Sequence, residues 1–212
     1  LRLAAPASVL NSSFRHVIAA YRLAHPEVRL TLIDAPSRVA WRMVESDTAD
    51  LAIVGVPDGI DLPARLSVEP LASYPFELIF PEGHPLGKLK RVGLREILSH
   101  PLILAGEDSS SRLQFDQVVA KAGLTSKVNV VMTAGNVPSI LNYVGLGIGV
   151  AILTRSAIEA ISFPVVKKAG LAHRDVSTVL GHDNLVLVHP KGRHELGHVR
   201  VFREMVASSL KA

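Results

Sequence analysis

Residues 66–81, LSVEPLASYPFELIFP, read as one long extended run broken by prolines, with no helical period anywhere in it. What flanks this run constrains the fold more than any other feature. Before it the chain alternates: an apolar strand at 1–6, a helix over 12–24, a strand at 28–34, a helix at 37–46 and a buried strand at 50–55. The first helix carries Phe14, Val17, Ile18, Tyr21 and Leu23 at near-helical spacing, with Asn11, Ser12 or Ser13 as its cap and Pro26 as its stop. Ser37 is the expected cap of the second. Such alternation requires a parallel sheet covered on both faces.

After the run the alternation restarts. LREIL is a short helical turn, PLILAG a strand, residues 110–123 a helix closed by Gly123, and 128–133 a strand. Asn136 caps the next helix and GVAILT at 149–154 is a strand. FPVVKK reads as a further strand, STVLGHDNLVLVHP as an extended return, and HELGHVRVFREMVASSL as a terminal helix. The pattern runs, crosses and restarts, so a second βα unit begins after about residue 75.

Gly145, Gly147 and Gly149 sit at alternate positions between helix and strand. A phosphate cradle needs the opposite order, strand, glycines, then helix, so that the helix start faces the phosphate. These glycines instead let the chain leave the helix with φ > 0 and let the strand pack closely. The helix start that can meet a ligand lies earlier, at residues 134–137.

Composition narrows the chemistry. With no cysteine there are no disulfides, thiolate ligands or thiol nucleophiles, which suits a reducing cytoplasm. Net charge is +4, but the arginines and lysines are scattered and only 5% of residues are aromatic, so no nucleic-acid-gripping stripe forms. No apolar run approaches the ~18 residues of a membrane span. Neither a GxSxG elbow nor a P-loop is present. His194-Glu195-Leu196-Gly197-His198 matches HExxH, which on a helix would set two imidazoles on one face for zinc. The extended zinc-protease pattern then fails at Val201 and Glu204, where glycine and a third ligand belong. No metal or cofactor is expected.

Ligands of open α/β sheets sit beyond the carboxyl ends of strands, where helix starts present free N–H groups. Four such places are readable here: Ala7-Ser8, Ser37, Ser109-Ser110, and Asn136-Val137. Each sets a small polar group beside backbone donors, which suits a carboxylate; each serine or asparagine is equally at home as a plain cap. Arg112 follows the serine run and can reach an anion or pair with a neighbouring acid. Gly55 closes the third strand and would shape a cleft floor.

Several stretches together resemble the effector-binding domain of LysR-type transcriptional regulators. They are LRLAAPAS, AYRLAHPEVRLTL, DLAIVG, PLASYPFELIFPEGHPL, AGLTSKV and VGLGIGVAIL, in that order. The resemblance spans essentially all 212 residues. It implies a type 2 periplasmic-binding-protein-like fold, two Rossmann-like α/β subdomains joined by two crossover strands with a small-molecule ligand in the cleft between them, and it assigns ligand contacts to Ser8, Ser37 and Ser110. The expected division is 1–72 with 183–212 against 73–182, with hinge strands near 66–75 and 178–186, in agreement with the restart of the βα pattern after the extended run. It further implies a non-enzymatic, cytoplasmic sensor that dimerises, with a tetramer as the alternative at full length, and that meets DNA only through an N-terminal winged helix-turn-helix not contained in this sequence. An exposed apolar strip on helix 12–24 or 37–46 would supply the dimer surface. The alternatives are a secreted solute-binding protein of the same fold and, remotely, a zinc hydrolase built on HELGH.

Overall fold

The computed structural model describes residues 1–12, 14–161, 170–192 and 195–209. It divides into two compact units: Leu1–Ser73 with Asn184–Ala212, and Tyr74–Asp183. The chain therefore passes between them twice, at 73/74 and at 183/184.

The first unit opens with β1 (Arg2–Ala5), a four-residue helix α1 (Ala7–Leu10) and α2 (Phe14–Ala24), followed by β2 (Thr31–Asp34), α3 (Ser37–Glu45) and β3 (Leu51–Pro57). β1 pairs in parallel with both β2 and β3, so the strand order is β2-β1-β3. β3 is a near-continuous buried run, LAIVGVP, as a strand covered on both faces must be. Its alternate residues go to different sides. Ala52 and Val54 join Ala4, Ala40 and Val44 of α3 in one apolar cluster. On α2, Tyr21 is fully buried, meets Phe202 edge-on at 5.0 Å and donates its hydroxyl to the His198 carbonyl at 2.8 Å. Trp41 is partly buried against the Ala4/Val54 cluster, so it serves packing.

β4 (Leu66–Pro81) is the long run singled out in the sequence, a single strand of 16 residues. After it come α4 (Leu94–Leu98), β5 (Leu102–Ala105), α5 (Ser110–Lys121), β6 (Val130–Ala134), α6 (Val137–Gly145), β7 (Val150–Thr154), α7 (Arg155–Glu159) and β8 (Leu171–Asp175). A short helical turn, α8 (Ser177–Leu180), leads into β9 (His182–Pro190), and α9 (Gly197–Ser209) ends the described chain. In the second unit β5 pairs in parallel with β6 and β7, repeating the order of the first unit, while β4 pairs antiparallel with β7 and β8. Alternation sorts its core. Leu78, Leu102, Leu104 and Ile152 pack with Phe115 of α5; Ile79, Ile103, Ala151 and Leu153 pack with Ile140 and Val144 of α6. A Leu→Ala change in either cluster is of the class that costs about 2–5 kcal/mol.

Local differences from the sequence reading have short-range causes. Ser37 is the first helical residue and Pro36 holds the cap position, since proline's fixed φ suits the helix entrance. Residues 177–180, read as extended, form α8, because Asp175 accepts from both the N–H and the hydroxyl of Ser177 and starts a turn. The terminal helix starts at Gly197, later than the expected 194. The FPVVKK strand and the cap at Ser13 lie outside the described residues. The glycines divide their work: Gly147 takes φ +75°, while a Cβ on Gly149 would stand 2.6 Å from the Pro101 carbonyl oxygen. That oxygen accepts the Val150 N–H at 2.9 Å, so the close approach is to the entry of β5.

On the first unit's side of the crossings, Ser73 donates to Asn184 at 3.0 Å, and Asn184 donates to Asp58 at 2.7 Å. β9 lies between β3 and β4 in strand order.

Candidate functional site

In each unit two parallel neighbours deliver a helix start at their carboxyl ends: α1 and α3 after β1 and β2, α5 and α6 after β5 and β6. In the second unit the register pairs Ala105 with Ala134, so β5 and β6 end at the same level, a glycine follows each, and α5 and α6 start a few residues beyond.

In the first unit the Ala7 N–H is already engaged. It donates to Asp34 Oδ1 at 2.8 Å, so a carboxylate of the protein sits at the positive end of α1. Ser8 stands next to it, half-buried. Ser37 is 3% exposed, and its Oγ accepts the Gly55 N–H at 3.2 Å. Two residues picked separately from the sequence, Ser37 and Gly55, are thus one contact tying α3 to the end of β3.

In the second unit Ser109 caps α5: its Oγ accepts the Arg112 N–H at 3.3 Å and donates to the Gly106 carbonyl at 2.8 Å. Ser111 Oγ lies 3.4 Å from Ser109 Oγ, whose proton is already committed, so Ser111 is the donor there. Ser110 is 8% exposed and donates to Asp183 Oδ2 at 3.1 Å. The Arg112 guanidinium grips Asp116 one turn on, at 2.9 Å, with Glu107 at 4.0 Å. At α6, Asn136 Oδ1 accepts the Ser139 N–H at 2.9 Å and Pro138 has no N–H to give, so Val137 supplies the exposed end's remaining donor.

Sequence reasoning missed three polar residues here. Asp34 and Asp183 place carboxylates at the starts of α1 and α5 from 27 and 73 residues away. Gln114, one turn beyond Ser110, is 5% exposed; its Nε2 donates to the Leu180 carbonyl at 2.6 Å, and its Oε1 has no donor among the described residues. An acid ending a strand, as Asp34 does, was the one available signal.

A cavity of about 430 Å³ in the first unit lies elsewhere, by the amino end of β1, with Arg2, Asp50, His189, Glu195 and Leu196 in its lining. Its charges are mutually paired. Burial works to raise the Asp50 carboxyl, but hydrogen bonds from the Arg2 side chain and backbone outweigh it and hold the group below its ordinary value. Glu195 of HELGH is bound by Arg203 through two contacts, 2.9 and 3.1 Å, and stands before the helix that holds His198. His194 lies outside the described residues; among those described, no three potential metal ligands cluster.

With these helix starts in place, the comparisons decide the family. The model of the LysR substrate binding domain matches residues 1–211. The chain belongs to this LysR family. It is 29% identical over 151 residues to the HTH-type transcriptional regulator cbl of Escherichia coli K12, covering 68% of this chain and 45% of that protein. To the probable RuBisCO transcriptional regulator of Cyanophora paradoxa it is 29% identical over 144 residues, 67% of this chain and 44% of that one. This LysR domain spans about half the length of the curated relatives it matches. Among solved structures, the cofactor-binding domain of the Cbl transcriptional regulator superposes with TM-score 0.81 at 24% identity, over 99% of this chain and 88% of that one. The Synechocystis CcmR regulatory domain, in complex with 2-PG, gives 0.83 at 17%, over 100% and 97%. The shared fold is that of LysR effector-binding domains, type 2 periplasmic-binding-protein-like. No helix among the described residues is long and apolar enough to cross a membrane.

Proposed function

We propose that this LysR domain is the effector sensor of a cytoplasmic transcriptional regulator, taking up a small acidic metabolite at its helix starts and passing the change to a DNA-binding domain N-terminal to it. The observation that carries the reading is the family match over residues 1–211. The helix starts support it, since the Ser110, Ser111 and Val137 N–H groups open at the ends of paired parallel strands and suit an acceptor. Ser8, Ser37 and Ser110 remain the proposed contacts, with Ser37 shaping the site through Gly55. Ligand binding then works as a population shift between forms of the domain with different affinity. A thermal-shift screen of small carboxylates, aromatic acids and sulfonates tests it: a hit whose affinity falls in Ser110→Ala supports the reading, and hits indifferent to Ser8, Ser110 and Val137 changes reject the site.

The proposed partner is a second copy of the chain. Apolar side chains are exposed on both edge strands and on a helix or helix end of each unit: Leu32 on β2 and Leu23 (83%) on α2 in one, Val131 on β6 and Leu146 (73%) by α6 in the other. Edge strands and apolar patches left bare invite pairing. Leu146→Glu is expected to move the chain from dimer to monomer in sedimentation velocity; a wild-type monomer would refute the surface.

A further inference from the structure

The cations that look scattered along the sequence are partly gathered in space. Residues 88–95 hold Lys88, Lys90, Arg91 and Arg95 and no acid, and all four are exposed. β8 adds a fifth. The Arg174 guanidinium, 85 residues away in the chain, donates to the Leu89 carbonyl and, at 3.3 Å, to that of Gly87. Those acceptors are neutral, so the charge of Arg174 is not cancelled. Among the described residues none of the five meets a carboxylate. The acids flanking the run are engaged or remote: Glu96 turns back to accept the Gly93 N–H at 2.9 Å, and Glu82 lies six residues before Lys88. The run is also held in shape from below. Leu86 and Val92 are buried in one cluster with Phe80 and Ile97, and His84 caps the turn Pro85–Lys88. A backbone fixed in this way loses little order when its side chains are engaged.

We propose that this face of the second unit, formed by Lys88, Lys90, Arg91, Arg95 and Arg174, is a docking surface for the phosphate backbone of duplex DNA. Five like charges without acids between them repel one another, and a polyanion relieves this while releasing its condensed counterions. With Leu89 extended, the cations from Lys88 to Arg91 spread over as much as about 10 Å. One carboxylate or phosphate does not span that distance, whereas a duplex sets a charge every ~1.7 Å along its axis. Residues 85–98 contain no Phe, Tyr or Trp, so the stacking platform that single strands use is missing. Lysine and arginine contacts to phosphate position a protein without reading sequence. The inference goes beyond the sensor function but takes its occupant from it: a domain tethered to a DNA reader meets duplex at high local concentration. The reader then selects the site, and this surface adds affinity that is blind to sequence.

The probe is a labelled duplex of about 30 base pairs and arbitrary sequence, titrated with the 212-residue chain at about 50 mM salt and followed by fluorescence anisotropy. The wild type is expected to bind, with the logarithm of its affinity falling against that of salt at a slope of about −3 to −4. Replacing Lys88, Lys90, Arg91 and Arg95 together by alanine should weaken binding at least about tenfold and flatten the slope, with Arg174 kept because it holds the turn. A matched variant loses four exposed cations elsewhere, Arg22, Arg29, Lys121 and Lys127, and should bind nearly as the wild type does. Thermal midpoints of both variants report that they have folded. No duplex binding by the wild type overturns the proposal, and an equal loss in the matched variant reduces it to net charge and overturns it too. Tighter binding of a poly-glutamate peptide or of single-stranded DNA than of duplex overturns the occupant. No effector enters this experiment, so its failure leaves the sensor function standing, and a failed effector screen leaves this surface standing.

Discussion

β4 contributes one glutamate to each unit, eight residues apart, and the two sit in inverted surroundings. In the first unit a cation is central. Arg203 of α9 is clasped by Glu69 at 2.7 Å and by Glu195 at 2.9 Å, while His189 meets Glu69 at 3.2 Å. In the second unit an anion is central. Glu77 is paired with Arg155 at the start of α7 and lies 3.2 Å from His173 on β8. Burial separates them: the Glu77 side chain is 1% exposed, against 31% for Glu69. A deserted charge at Glu69 can hydrate; one at Glu77 cannot. The same ion-pair motif is therefore close to dispensable in one unit and a folding requirement in the other.

The largest expected effect is in the second unit. Arg155→Ala leaves Glu77 with His173 as its remaining ring partner and is expected to cost about 3 kcal/mol in urea unfolding, at the low end for a broken buried pair. Adding Glu77→Gln should recover most of the loss, because the stranded charge goes with it. If the double variant is no more stable than Arg155→Ala, packing of the arginine stem rather than charge explains the loss, and the comparison breaks. Arg203→Ala is the matching change in the first unit. Hydrogen bonds that it donates to Glu195, working against burial and joined by the charge of Glu69, hold that guanidinium well above its ordinary pKa. Its partners are 22% and 31% exposed, so about 1 kcal/mol is expected. A loss equal to that of Arg155→Ala would show that exposure does not govern the difference.

Glu77 also marks how far the sequence could be read. Its strand was legible because residues 66–81 carry prolines and no helical period, and both are local properties. α5 and α6 were legible for the same reason, their caps Ser109 and Asn136 bonding three residues ahead. Whatever depends on chain distance was hidden. Nothing near Glu77 announces an arginine 78 residues away, and nothing near Ser110 announces Asp183. The helix starts could be found, and the distant side chains bonded to them could not. α1 went unseen because four residues after Pro6 carry no period. HELGH misled in the opposite way: its spacing presumes a helix through Glu195, and the helix starts two residues later.

The smallest effect distinguishes the units by pH. In the second unit His84 caps the short helical turn Pro85–Lys88, its Nδ1 accepting the Leu86 N–H at 3.3 Å, which only the neutral ring can do. Burial, with His100 facing it at 4.7 Å, pushes its pKa below the ordinary value. A histidine depressed in the folded state binds fewer protons there than in the unfolded chain. Its stabilising share is thus complete above the unfolded value of about 6.5 and fades as pH falls through the folded one. Asp50 in the first unit is a depressed carboxyl, so its share holds until pH drops below about 3.9. Between those limits, amide exchange of Leu86 and Gly87 should quicken on acidification while that of Asp50 and Leu51 is less affected. His84→Asn offers a cap that does not titrate and should flatten the response of the turn. Exchange at Leu86 that stays pH-dependent in that variant, beyond the intrinsic chemical rate, would show that His84 is not the cause.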